Sequence, residues 1–122
     1  MATIVSADPR LLAPNKPRKD RGWLEQWTRA DRAASAAIAA TLPDLSEPRI
    51  AAELGVRLPP DATLVVASSM PVRDVETFFP VREQPPRVLA NRGANGIDGT
   101  VSTAFGVAAA GGPTVLLTGD VA

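Results

Sequence analysis

Cysteine and histidine are both absent from this sequence of 122 residues. Without cysteine the chain has no disulfide framework and no thiolate nucleophile. Without histidine it has neither a Ser-His catalytic triad nor a histidine-ligated zinc ion of its own. Any metal ion that these residues bind must therefore be held by oxygen ligands.

The sequence also lacks net charge and long apolar runs. Lysine plus arginine and aspartate plus glutamate number 13 each, so no basic field attracts nucleic acid or an anionic membrane. No apolar run approaches the roughly 20 residues that span a bilayer, and Met1 to Asp8 lack the pattern of a signal peptide. We therefore expect small-molecule substrates, no nucleic-acid or membrane partner, and a cytoplasmic location.

The composition of the chain changes near residue 22. Residues 1–22 are rich in proline, lysine and arginine, which predicts a linker or the tail of a preceding middle domain. Residues 23–122 carry helix and strand patterns. Hydrophobic residues make up 45% of the whole chain, which suffices for one modest core. Apolar residues spaced by three and four predict a first helix from Trp23 to about Leu42.

A second, shorter helix is predicted from Glu47 to Leu54, with Ser46 as its N-cap and Gly55 as its C-cap. We expect Trp23 and Trp27, one helical turn apart, to pack against another layer. Neither helix shows a pattern typical of catalysis.

Strand and helix then alternate to the end of the sequence. Short apolar strands are predicted at residues 64–67, 87–90 and 114–118, with helices between them that reach about Phe79 and cover Gly99 to Ala110. We expect right-handed crossovers. The predicted fold class is α/β, with a partial parallel sheet (βαβαβ) preceded by two helices.

A glycine-punctuated loop, residues 91–99, follows the second strand, and Gly119 and Asp120 follow the third. The glycine spacing of the loop at residues 91–99 matches neither the dinucleotide-binding fingerprint nor the phosphate-loop motif. A Gly-Asp pair after a parallel strand can present backbone and a carboxylate to a phosphorylated cofactor and its metal. Glycine also serves tight turns, and Asp98 can cap the next helix, so spacing alone leaves structural and functional interpretations open.

Three segments in combination resemble the thiamine-diphosphate-dependent enzymes. They are Ser-Met-Pro-Val-Arg-Asp at residues 69–74, Asn-Arg-Gly-Ala-Asn-Gly-Ile-Asp-Gly at residues 91–99, and the pair Gly119-Asp120. Within that superfamily, the chain is similar to the carboligases of menaquinone biosynthesis. The resemblance implies thiamine diphosphate and Mg²⁺ or Mn²⁺ as cofactors. It also implies decarboxylation of 2-oxoglutarate and transfer of the succinyl-semialdehyde unit to isochorismate.

The resemblance also implies a set of site residues. Its catalytic residues are Ser69, Arg73 and Arg92, and its cofactor-binding residues are Ser69, Ile97, Gly119 and Asp120, the last also being the metal ligand. Arginine suits carboxylate substrates because its guanidinium makes two parallel hydrogen bonds, and magnesium prefers a hard carboxylate oxygen. The structural alternatives are an N-cap at Ser69 and a surface ion pair between Arg73 and Asp74 or Glu76.

In the same superfamily, a preceding domain carries the activating glutamate, a second metal ligand follows the Gly-Asp pair, and the active site forms between subunits. We therefore expect a part of a diphosphate-binding domain, cut at the Gly-Asp motif and inactive alone, whose full-length enzyme is a homodimer or homotetramer. Two alternatives remain open. One is a subunit of a split 2-oxoacid decarboxylase or synthase, and the other is a non-catalytic α/β interaction module.

Overall fold

The computed structural model describes residues 22–91 and 97–121. The chain divides into two compact units, residues 1–34 and 35–122. Helix α1 (Gly22–Thr41) confirms the predicted first helix. The rings of Trp23 and Trp27 contact each other, with centroids 6.0 Å apart, and the two residues are 60% and 61% exposed. Their packing against another layer stays a prediction.

The larger unit contains the remaining elements in an alternating order. They are α2 (Glu47–Arg57), β1 (Thr63–Val66), α3 (Met70–Phe78), β2 (Arg87–Ala90), α4 (Thr100–Ala109) and β3 (Thr114–Leu117). No helix in the described ranges combines the length and the apolar character needed to cross a membrane.

The three strands form a parallel sheet in the order β2-β1-β3. Thr63 of β1 pairs with Arg87 on one side and with Thr114 on the other. This arrangement confirms the predicted α/β fold with a βαβαβ succession.

Helices cover both faces of the sheet. Leu64 and Val66 of β1 belong to a core cluster with Leu58 and Ala62, against which Val72 and Val75 of α3 pack. The opposite face lies beside α4, whose Ala104 is buried. The connections from β1 to β2 and from β2 to β3 run in opposite directions across the sheet. Right-handed crossovers therefore place α3 and α4 on opposite faces.

Helix α2 begins as predicted, because the Ser46 side chain accepts a hydrogen bond from the Arg49 amide at 3.3 Å. The predicted C-cap at Gly55 is wrong, since the helix continues to Arg57 and is capped by Leu58. Gly55 instead lies against Phe79 and Pro80, where a Cβ atom would overlap the proline ring. This glycine is required for close packing, not for ending the helix.

The far end of α2 is held by a side chain from the loop after α3. The Arg82 guanidinium donates to the carbonyl oxygens of Gly55 and Leu58, at 2.9 and 2.7 Å. These bonds satisfy acceptors that a helix C-terminus leaves without an internal partner. They fix the position of α2 beside α3.

Replacing Gly55 by alanine is expected to destabilise the protein, because the new methyl group must displace Pro80 or shift α2. Overpacking of this kind costs about 1–3 kcal/mol, which a shift of the urea unfolding midpoint would report. Gly106→Ala is the matched control, since a Cβ atom there has no neighbour within 4 Å. It should raise stability by up to about 1 kcal/mol through helix propensity. Equal effects of the two substitutions would contradict the packing argument.

Candidate functional site

A cleft of about 210 Å³ lies at the carboxyl ends of β1 and β3. After β1 the chain crosses to β2 on one side, whereas β3 lies on the other side of β1. Such a change of direction opens a crevice at which parallel α/β sheets bind ligands. The lining residues are Glu47, Ile50, Ala67, Ser68, Ser69, Met70, Pro71, Asp74, Ile97, Leu117, Thr118, Gly119, Asp120 and Val121.

The lining of the cleft combines an apolar wall with carboxylates. Ile50, Ile97 and Leu117 contribute to the apolar wall, while Glu47, Asp74 and Asp120 supply acidic side chains. None of the described lining residues is a lysine or an arginine. A polyanionic ligand therefore needs a cation, or a positive group from elsewhere, to balance these carboxylates.

Ser69 joins β1 to α3 in an unusual backbone conformation. Its φ of 71° and ψ of −127° make it a positive-φ residue that is not glycine, which costs on the order of 1–3 kcal/mol. It occupies the N-cap position of α3, but its side chain makes no capping hydrogen bond. The hydroxyl group is exposed at the cleft, so capping does not account for this serine.

Gly119 and Asp120 extend from the end of β3 into the same cleft. Gly119 does not have a positive φ, and a Cβ atom built on it would meet nothing within 4 Å. No contact within the described residues therefore requires glycine here. Its absent side chain leaves the backbone open to a ligand, with the exposed Asp120 carboxylate beside it.

Ile97 reaches the cleft from the loop before α4 and is 45% exposed. Its carbonyl oxygen accepts a hydrogen bond from the Thr100 amide at 3.2 Å. Gly99, with a φ of 78°, is the N-cap of α4, so the alternative in which Asp98 caps this helix is wrong. At the start of the loop, the side-chain amide of Asn91 donates a hydrogen bond to the Thr103 hydroxyl at 3.1 Å.

Of the two arginines implied by the resemblance, the structure describes one. Arg73 is exposed on α3 and is not among the residues that line the cleft. Within the described ranges it forms no ion pair with Asp74 or Glu76. Arg92 lies outside the described residues. The substrate-binding roles of both arginines stay predictions.

The structure brings Glu47, Ile50 and Asp74 to the cleft, which the sequence analysis did not select. Helix α2 lies alongside α3 and ends next to Phe79, so its first turn meets the first turn of α3 at the cleft. Nothing in the sequence of α2 indicated this packing. Asp74 could have been found, because it belongs to the Ser-Met-Pro-Val-Arg-Asp segment.

The described residues contain no group of three or more acidic side chains arranged to hold a metal ion. Asp120 can therefore supply one carboxylate ligand, and the other ligands of a bound ion must be backbone or ligand oxygens, water or residues outside the described ranges.

Substitution of Ser69 by glycine is expected to raise the free energy of unfolding by about 1 kcal/mol, because glycine adopts this backbone conformation without strain. Ser69→Ala, which keeps the strain and removes only the hydroxyl group, should give no such gain. Urea unfolding of both variants measures the difference. The same stability in the two variants would show that Ser69 is not strained.

The chain is similar to curated proteins named 2-succinyl-5-enolpyruvyl-6-hydroxy-3-cyclohexene-1-carboxylate synthase. The relative from Myxococcus xanthus is 56% identical over 103 residues, which cover 84% of this chain and 18% of the relative. Those from Synechococcus elongatus and Listeria monocytogenes are 48% and 43% identical, and the matches cover 94% and 97% of this chain and 19% and 22% of the relatives. No protein-family model matches the chain.

This chain thus spans about a fifth of the length of these relatives. The matches cover most of the chain. By sequence the chain matches a fragment of the 2-succinyl-5-enolpyruvyl-6-hydroxy-3-cyclohexene-1-carboxylate synthases.

Proposed function

We propose that this chain forms one wall of the active site of a thiamine-diphosphate-dependent carboligase of menaquinone biosynthesis. The observation that carries the proposal is the cleft at the ends of β1 and β3, which four of the expected site residues line. These four residues are Ser69, Ile97, Gly119 and Asp120. They come from three separate parts of the sequence, so their meeting at one cleft is a property of the fold.

The names of the relatives support the proposed reaction. Their product carries a succinyl group, an enolpyruvyl group, a hydroxyl group and a ring carboxylate. Joining a succinyl unit to a ring of this kind fits the decarboxylation of 2-oxoglutarate and the addition of the remaining unit to isochorismate. Both substrates are polyanions, for which Arg73 and Arg92 are suitable partners.

The donor set fits a divalent cation. Asp120 offers a hard carboxylate oxygen at the cleft, which suits Mg²⁺ or Mn²⁺. A diphosphate group would meet three acidic side chains and no lysine or arginine among the described lining residues. Asp120 would hold such a cation, whose positive charge would offset this repulsion.

The remaining features of the cleft fit thiamine diphosphate. Gly119 leaves space where a side chain would stand, so phosphate oxygens can approach the backbone. The first turn of α3 has no acidic residue and no side-chain cap, which leaves the positive end of that helix available to an anion. Ile97 adds an apolar surface against which a ring can rest. When bound, the cofactor supplies the electron sink for decarboxylation.

We assign separate tasks to the protein groups. The exposed hydroxyl of Ser69 donates a hydrogen bond to an oxygen of the bound substrate, and the two arginines bind its carboxylates. The apolar side chain of Ile97 lies beside the bound ring and lowers its contact with water. The match to about a fifth of the relatives leads us to infer that the whole reaction needs groups outside this stretch, in a cytoplasmic homodimer or homotetramer. The chain alone should then bind the cofactor without catalysing the reaction.

Asp120→Asn is expected to weaken binding of thiamine diphosphate in the presence of Mg²⁺ by about tenfold or more, because the amide is a poorer ligand for a hard cation. Isothermal titration calorimetry with and without Mg²⁺ measures the effect. Asp61→Asn removes the same charge at an exposed turn before β1 and should leave binding unchanged. Failure of the unaltered chain to bind thiamine diphosphate with Mg²⁺ would contradict the proposed function.

Gly119→Ala is expected to leave stability unchanged, since the structure has room for the methyl group. The same methyl group would occupy the space proposed for the diphosphate, so binding should weaken by about tenfold, the equivalent of about 1.4 kcal/mol. Thermal unfolding and calorimetry on the same sample separate the two effects. Unchanged binding would show that no ligand approaches the backbone at this position.

A further inference from the structure

Asp74 is a buried carboxylate with no partner in the described part of the chain. It lies in α3, is 5% exposed and lines the cleft. The ion pairs of the described residues involve Glu53 with Arg49 and Arg57, and none involves Asp74. No described residue donates a hydrogen bond to its carboxylate.

Asp74 nevertheless borders open space, because it lines the cleft. Among the described residues, no side-chain oxygen or nitrogen is both sealed from solvent and without a hydrogen-bond partner. No oxygen of Asp74 is therefore both sealed from solvent and unpartnered. The space that this residue lines is the cleft, which places the carboxylate on the ligand side of α3.

An acidic group in this position is unfavourable in the empty protein. Burial removes water from a carboxylate, and a buried polar group is normally compensated by hydrogen bonds. Glu47 and Asp120 line the same cleft, and no lysine or arginine among the described lining residues balances the three acidic groups.

We propose that Asp74 is a ligand-binding residue whose carboxylate accepts a hydrogen bond from an N–H or O–H donor of the organic ligand in this cleft. The inference rests on the proposed function and adds to it a polar contact beside the apolar wall. The donor completes the hydrogen bonding that the described residues leave unfinished. A charged acceptor in a partly dehydrated site makes this bond stronger than a neutral one.

Two ligands of the proposed reaction offer such a donor. Thiamine diphosphate carries an amino group on its pyrimidine ring, and the product named for the relatives carries a ring hydroxyl, which isochorismate would contribute. The chemistry recognised by Asp74 is the same in both. Titration with each compound separately assigns the donor.

The test replaces Asp74 by asparagine, which keeps the shape of the side chain and removes its charge. Calorimetry with Mg²⁺ present measures binding of thiamine diphosphate first and of isochorismate afterwards. We expect one of the two to bind about 10- to 100-fold more weakly, as for loss of a hydrogen bond to a charged group. Glu76→Gln is the matched control, because Glu76 is exposed on the same helix outside the cleft lining. It should bind both compounds as the unaltered chain does.

A second measurement separates binding from a structural role. The melting temperature of ligand-free Asp74→Asn, and of Asp74→Leu, should equal or exceed that of the unaltered chain, because an unpaired buried charge is removed. A lower melting temperature in both variants would assign Asp74 to the fold and overturn the inference. Binding that Asp74→Asn leaves unchanged would overturn this inference alone, whereas an unaltered chain that binds neither compound would overturn the proposed function as well.

Discussion

The pairing of β1 with a parallel neighbour on each side is the constraint on which the rest of the structure depends. Leu64, Val65 and Val66 are between 0% and 2% exposed, so this strand is buried on both faces. Burying three such side chains contributes several kcal/mol, at roughly 25 cal/mol per Å² of apolar surface. Because β1 cannot move without exposing them, the turn that follows it is held in place and can carry the strain at Ser69.

Local patterns were sufficient to predict the strands and the helix starts. The segment Arg87 to Ala90 has three apolar residues after its arginine and is bounded by proline and asparagine, and it forms β2 over the predicted range. Ser46 caps α2 because its hydroxyl and its extended backbone act on adjacent residues. Gly55 was misjudged because its role depends on Pro80, a residue 25 positions away that the fold brings into contact. Contacts of that kind are set by packing between helices, which a periodic pattern does not encode.

The candidate site was predictable to a similar extent. Residues at strand ends, such as Gly119 and Asp120, were accessible to sequence reasoning because parallel strands place their carboxyl ends at one edge. Glu47 and Ile50 were not, since they reach that edge only through the packing of α2 beside α3. The backbone strain at Ser69 was also hidden, because serine is compatible with many conformations and its neighbours select this one.

The hydrogen bonds from Arg82 to the end of α2 have a mechanical consequence. They tie Arg82 to carbonyl groups 27 and 24 residues before it in the chain. The C-terminal end of α2 is therefore anchored to the loop after α3, while its first turn lines the cleft. With a rise of about 1.5 Å per residue, its 11 residues form a lever about 16 Å long. A small rotation at Arg82 would therefore be amplified at Glu47, and cleft width could respond to events on the opposite edge of the domain.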